Sequence, residues 1–256
     1  MRLLGLICAA GLLGLGIATT ILALAPAAAP PTRLASLSPA PGHPPRPTTP
    51  APRPRPRPAT QFGRSLRVLW RKVCRRFPGP DDSELIVVDV HTERLYLLQD
   101  GRIAGDWRVS TALRGIDQRA HSDGTPVGVF RVARKIGAGL PPDEVLQDQA
   151  PTGRIITPTR LPDDPAASRW ITTRILWLAG IQPGWNEDGD FDTFLRHIYI
   201  HGTPNLGMLG QPASHGCVQM APRAVMALYR AVPVGTPVLI TPGTGRLSAI
   251  PGPAVS

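Results

Sequence analysis

A chain of 256 residues can bury one sizeable core with tails to spare, and its net charge of +10 would suit a polyanionic partner. The charge does not belong to the folding part: residues 1–78 hold 12 of the 28 Lys and Arg and none of the 18 Asp and Glu, which leaves 16 basic against 18 acidic groups in the rest. A nucleic-acid surface needs basic residues interleaved with aromatics on a folded face, and a Pro-rich stretch plus one short helix does not supply that, so DNA and RNA are not expected partners.

The chain opens with Met1-Arg2 and then runs from 3 to 25 without a charge, ending at Ala25-Pro26-Ala27-Ala28-Ala29. Residues 1–29 read as an export signal. The run exceeds a signal core of about 7–15 residues and reaches the roughly 20 needed to cross a bilayer, so a cleaved signal peptide and an uncleaved membrane anchor both fit. Cys8 lies inside it behind the bulky Ile7, which argues against a lipoprotein. Thirteen prolines fall in residues 26–58. Residues 30–62 therefore form a Pro/Arg-rich spacer in polyproline II, on the order of 100 Å long if extended. Residues 63–78 change character: Leu66, Leu69, Trp70, Val73 and Phe77 recur at helical spacing with Arg and Lys opposite, giving a basic amphipathic helix. Its apolar stripe suits either a membrane surface or the domain that follows, and Cys74 on it reads as packing.

From residue 84 the pattern turns to strands. The segments 85–90, 94–99, 107–110, 127–135, 197–202 and 236–240 are rich in β-branched residues and bounded by turn formers, and Asp100-Gly101 marks a hairpin. The expectation is a mainly β sandwich over 84–242, followed by a flexible tail at 243–256. Two helices are expected within it, an apolar one at 169–181 and one at 222–231 opened by a proline.

The chemistry concentrates between His197 and Met220. Strand alternation puts His197, Tyr199 and His201 on one face, with His201 at the strand end before Gly202. Ser214-His215-Gly216-Cys217 follows after a loop. A cysteine needs a nearby base to act as a nucleophile, and a strand-end histidine facing it supplies one. Gly216, without a side chain, lets substrate approach and frees backbone N–H groups for an oxyanion. Cys74 and Cys217 could pair in an exported chain, but the pairing would consume this thiol, so Cys217 is expected free.

His201-Gly202, a loop, and Ser214-His215-Gly216-Cys217 resemble the motif of the L,D-transpeptidase family with the YkuD-type catalytic domain. Arg94-Leu95-Tyr96, Ser110-Thr111 and Gly124-Thr125-Pro126-Val127-Gly128 are similar to further family features. The resemblance implies a YkuD-like β-sandwich and an enzyme of the periplasm or cell envelope that acts on peptidoglycan stem peptides. Cys217 would be the nucleophile and His201 the general base and acid. The Gly202 carbonyl would orient the His201 ring, His215 would support the site, and Gly216 and Cys217 N–H groups would form the oxyanion hole. Ser214, Gln219 and Tyr199 would line the substrate site, Ser214 in a structural role. No cofactor or metal is implied. The acceptor is open: another stem, an envelope-protein amine, a D-amino acid or water. The chain departs from the family at Gln219, where Arg or Asn is frequent. Three rivals stand beside this reading: a zinc hydrolase using His197, His201, His215 and Cys217, a cysteine amidase, and a non-catalytic wall-binding module of the same fold.

Overall fold

The computed structural model describes residues 61–80, 83–161, 169–243 and 250–252. The expected export segment, most of the Pro-rich spacer and most of the tail lie outside the described residues.

Helix α1 (Gln61–Arg76) forms where the three- and four-residue spacing starts. Its stripe of Leu66, Leu69 and Val73, with Cys74 beside it, packs against Leu85, Val87, Tyr96, Leu98, Val129 and Leu239. Trp70 Nε1 donates to Ser83 O at 3.1 Å and fixes the helix to the start of the first strand. Of the two surfaces expected for the stripe, it covers the domain.

Strands β1 (Glu84–Asp89), β2 (Arg94–Gln99) and β3 (Arg102–Ser110) form a meander, and β4 (Gly128–Ile136) follows a long loop. Next come β5 (Glu144–Gln147), β6 (Ala150–Ile155), β7 (Ile171–Gly180), β8 (Tyr199–Gly202), β9 (Val218–Met220), helix α2 (Pro222–Ala231) and β10 (Pro237–Thr241). The strand order is β4-β10-β1-β2-β3-β9-β8-β7-β5-β6, and β4 also pairs with β7. The mainly β expectation therefore holds, with one addition: the β4–β7 pairing joins the edges of the sandwich into a closed, barrel-like ring of eight strands. Closure leaves no unpaired edge among those eight. Alternate residues Ile86 and Val88 of β1 face a central cluster with Leu95, Phe130, Leu176, Ile200 and Val218, into which α2 inserts Val225 and Leu228. The intervening Leu85 and Val87 face α1.

Two elements differ from expectation. The apolar run 169–181 is strand β7 and not a helix. It pairs with β4, β5 and β8, and its residues 172–178 are all buried. Burial on both faces removes the alternation that marks a half-exposed strand, and length alone then favoured a helix. The β5–β6 hairpin was not expected at all. Its tip, Asp148-Gln149, takes φ of 49° and 62°, the two-residue turn that Asn-Gly or Asp-Gly ordinarily signals, here without the glycine.

Candidate active site

Strands β8 and β9 lie side by side and parallel, with Ile200 opposite Val218 and His201 opposite Gln219. Facing residues on adjacent strands share a face, and faces alternate along each strand. Ile200 and Val218 enter the central cluster. His201 and Gln219 lie on the other face, and one step back the same register brings Tyr199 and Cys217 to it. The histidine and the cysteine are thus diagonal neighbours on one surface. Cys217 Sγ donates to His197 O and accepts from Tyr199 N–H, both at 3.4 Å. Cys74 and Cys217 are not joined to each other and lie in separate clusters.

His201 is 3% exposed, and its Nδ1 lies 2.9 Å from Gly202 O. A carbonyl only accepts, so Nδ1 carries the proton and Nε2 the lone pair. Position 202 has to be glycine: a Cβ there would lie 2.6 Å from Thr172 O. Burial pushes the imidazole down to about 4. Burial likewise pushes the Cys217 thiol up to about 11, with the Tyr199 N–H and the Arg196 charge opposing the shift. The resting pair is therefore neutral thiol and neutral imidazole.

The turn that precedes Cys217 is tied from several sides. Ser214 Oγ donates to Cys217 O at 2.6 Å and accepts from Gly216 N–H at 3.2 Å. Gly216 has φ +119°, a conformation open to glycine. Thr125 Oγ1 donates to Gly216 O at 3.0 Å and accepts from Ala112 N–H at 2.9 Å. This gives the Thr of the Gly124–Gly128 turn its physical role: it joins β3's end to the Cys217 turn. Ser214 is buried. Gln219 is 2% exposed on β9, and Tyr199 is buried with Oη accepting from Gln149 Nε2 at 3.0 Å. His215 is exposed beside Ser214. His197 stacks on Tyr199 and meets Trp177 edge-on, its ring in a packing position. Among the described residues no three His, Cys, Asp or Glu side chains gather as a metal-binding group, which leaves the zinc rival without a ligand set there.

The family model of the L,D-transpeptidase catalytic domain (YkuD) matches residues 83–240. The chain belongs to this family. The candidate L,D-transpeptidase YqjB of Bacillus subtilis (strain 168) is 28% identical over 164 residues, 64% of this chain and 74% of YqjB. The candidate L,D-transpeptidase YkuD of Bacillus licheniformis is 47% identical over 47 residues, 18% of this chain and 28% of its own length. A solved L,D-transpeptidase from Mycobacterium smegmatis aligns at 18% identity and TM-score 0.38 over 62% of this chain. The match spans 58% of that structure's length, less than two thirds.

Two residues around this L,D-transpeptidase site escaped the sequence reading. Arg196 donates to the carbonyls of Asp117, Gln118 and Gly124 and to Ser122 Oγ at 2.7–3.4 Å, which clamps the 117–124 loop over the turn of Gly216. Glu93, buried, accepts from Thr111 N–H at 2.7 Å and Thr111 Oγ1 at 2.6 Å. Thr111 O in turn accepts from the N–H groups of Ala213 and Ser214, both at 2.9 Å. Glu93 thus anchors the loop before Cys217 through Thr111. Only its place just before the Arg94-Leu95-Tyr96 hairpin could have drawn attention to it.

Proposed function

We propose that this family member is a peptidoglycan L,D-transpeptidase of the cell envelope that works through a Cys217 thioester. The observation that carries the reading is the placement of His201 and Cys217 on one face of adjacent parallel strands, with His201 Nδ1 held by Gly202 O and Nε2 left as the base. His201 Nε2 takes the thiol proton as Sγ attacks the carbonyl joining the diamino third residue of a stem to D-Ala. The C–S bond forms, and the oxyanion is held by Cys217 N–H and by Gly216 N–H, which exchanges its 3.2 Å bond to Ser214 Oγ for the stronger charged acceptor. His201 returns the proton to the D-Ala nitrogen, the C–N bond breaks and D-Ala leaves. An acceptor amine then attacks the thioester carbon, His201 takes its proton, and the sulfur departs and is reprotonated.

Because the resting pair is neutral, proton transfer accompanies attack, and His201 acts as a general base in the first step. Cys217→Ala should release no D-Ala from a stem tetrapeptide and should not be trapped by a carbapenem. His201→Ala should keep the fold and lose most of the rate, on the order of 10²–10⁴-fold. D-Ala release by Cys217→Ala at the wild-type rate would end the thioester reading.

A further inference from the structure

A cavity of about 310 Å³ opens beside the nucleophile's turn, with Ser214 and His215 on one wall, Leu113 beside them, and Arg114, Asp123 and Arg169 around the mouth. Leu113 N–H donates to Ser214 O at 3.0 Å, and Ser214 Oγ donates to Cys217 O, so the cavity is anchored two bonds from the nucleophile's own backbone. We propose that this cavity is a carboxylate subsite that reads the α-carboxylate of the amino acid whose nitrogen leaves or enters at Cys217.

The charge balance points to an anion. Asp123 meets Arg114 through Nε at 3.6 Å, longer than a charge-assisted hydrogen bond. Among the described residues Arg169 forms no ion pair. Among the described lining residues one carboxylate accompanies two guanidinium groups, whose planar forks match a carboxylate better than any other small anion except phosphate. The cavity volume accommodates an amino-acid-sized group.

The inference rests on the transpeptidase reading, and the chemistry of that reaction decides which carboxylate is read. The acyl half is bonded to Cys217 once the thioester forms. The amine half departs and arrives by diffusion, so noncovalent contacts alone must orient it. The departing D-Ala carries a carboxylate one carbon from the reacting nitrogen. An incoming D-amino acid, or the distal amino-acid centre of a stem's diamino residue, carries the same group at the same distance. One basic subsite then serves both half-reactions. A plain side-chain amine on an envelope protein lacks this carboxylate and is the poorer acceptor.

The test uses the full chain and two tetrapeptide donors, one ending in D-Ala and one in D-Ala amide, with release followed by mass spectrometry. D-methionine and D-methionine amide are compared as acceptors in the same way. Wild type should prefer the acid over the amide in kcat/KM on the order of tenfold for both pairs. Arg114→Gln/Arg169→Gln should bring both ratios close to one, with each single change intermediate. Equal use of acid and amide by wild type, or a preference kept by the double variant, overturns the subsite. Iodoacetamide labelling of Cys217 separates the two failures: a reactive thiol with no release from either donor overturns the transpeptidase reading itself.

Discussion

Burial holds His201 and Cys217 in their uncharged forms, and this sets the pair's contribution to the protein's response to pH. His201 titrates near 4 when folded, below its ordinary value of 6.5, so between these values the unfolded chain binds more protons and stability falls as pH drops. Cys217 titrates near 11, above its ordinary value of 9, so stability falls as pH rises from 9 to 11. The melting temperature should be flat between roughly 6.5 and 9 with respect to this pair. His201→Gln should flatten the acid limb and Cys217→Ala the alkaline one; an acid limb unchanged in His201→Gln would show that the burial of this ring does not govern it. Alkylation of Cys217 should keep accelerating up to pH 10–11 and not level off near neutrality. Thr125→Val tests the stitch between β3 and the Cys217 turn. It leaves the Ala112 N–H and Gly216 carbonyl without their partner, so it should lower stability by about 1–3 kcal/mol and reduce thioester formation. A stable variant with normal acylation would make the hydroxyl incidental.

Among the elements, α1 is the one that lies outside the matched family segment, which begins at residue 83. Its stripe nonetheless completes a cluster with β1, β2, β4 and β10. Leu69→Ala should destabilise the domain by about 2–5 kcal/mol in urea unfolding, because the removed side chain is 2% exposed. A chain started at residue 83 should expose Leu85, Val87 and Leu98 and melt well below one started at 60; equal melting temperatures would reduce the helix to an ornament. The same comparison of elements shows what the sequence could reveal. β1 and β2 were readable as β-branched, turn-bounded runs, and α1 because its charges fall opposite its apolar residues. β7 was not readable as a strand, since neighbours cover both its faces. β5–β6 was missed because Asp148-Gln149 adopts a glycine-type turn without glycine. At the site, His201, Gly202 and the Ser214–Cys217 block were legible because each motif is contiguous and sits at a strand boundary, the first closing β8 and the second leading into β9. Arg196 was not: its partners are backbone groups more than 70 residues away, and no pattern of residue types records a carbonyl.

Taken as a whole, the described part of the chain from α1 onward depends on a ring that leaves few places to cut. Limited proteolysis should produce a stable fragment that starts close to residue 60 and ends after residue 241. A stable fragment starting near 79 would show α1 to be dispensable. The ring is closed by β10, which sits between β1 and β4 and pairs with both. β10 is also the last strand in the chain, at 237–241, whereas β1 is the first, at 84–89. While the chain is being synthesised, β1 and β4 wait for a neighbour that has not yet been made. The Cys217 turn emerges 20 residues before that neighbour and has no finished sheet to rest on. Until residue 241 has been made the ring stays open at β10, and the sheet that carries the Cys217 turn is incomplete. A chain cut before Pro237 should therefore lose one paired neighbour of both β1 and β4, and with it the setting of the Cys217 turn, although every residue of that turn is present.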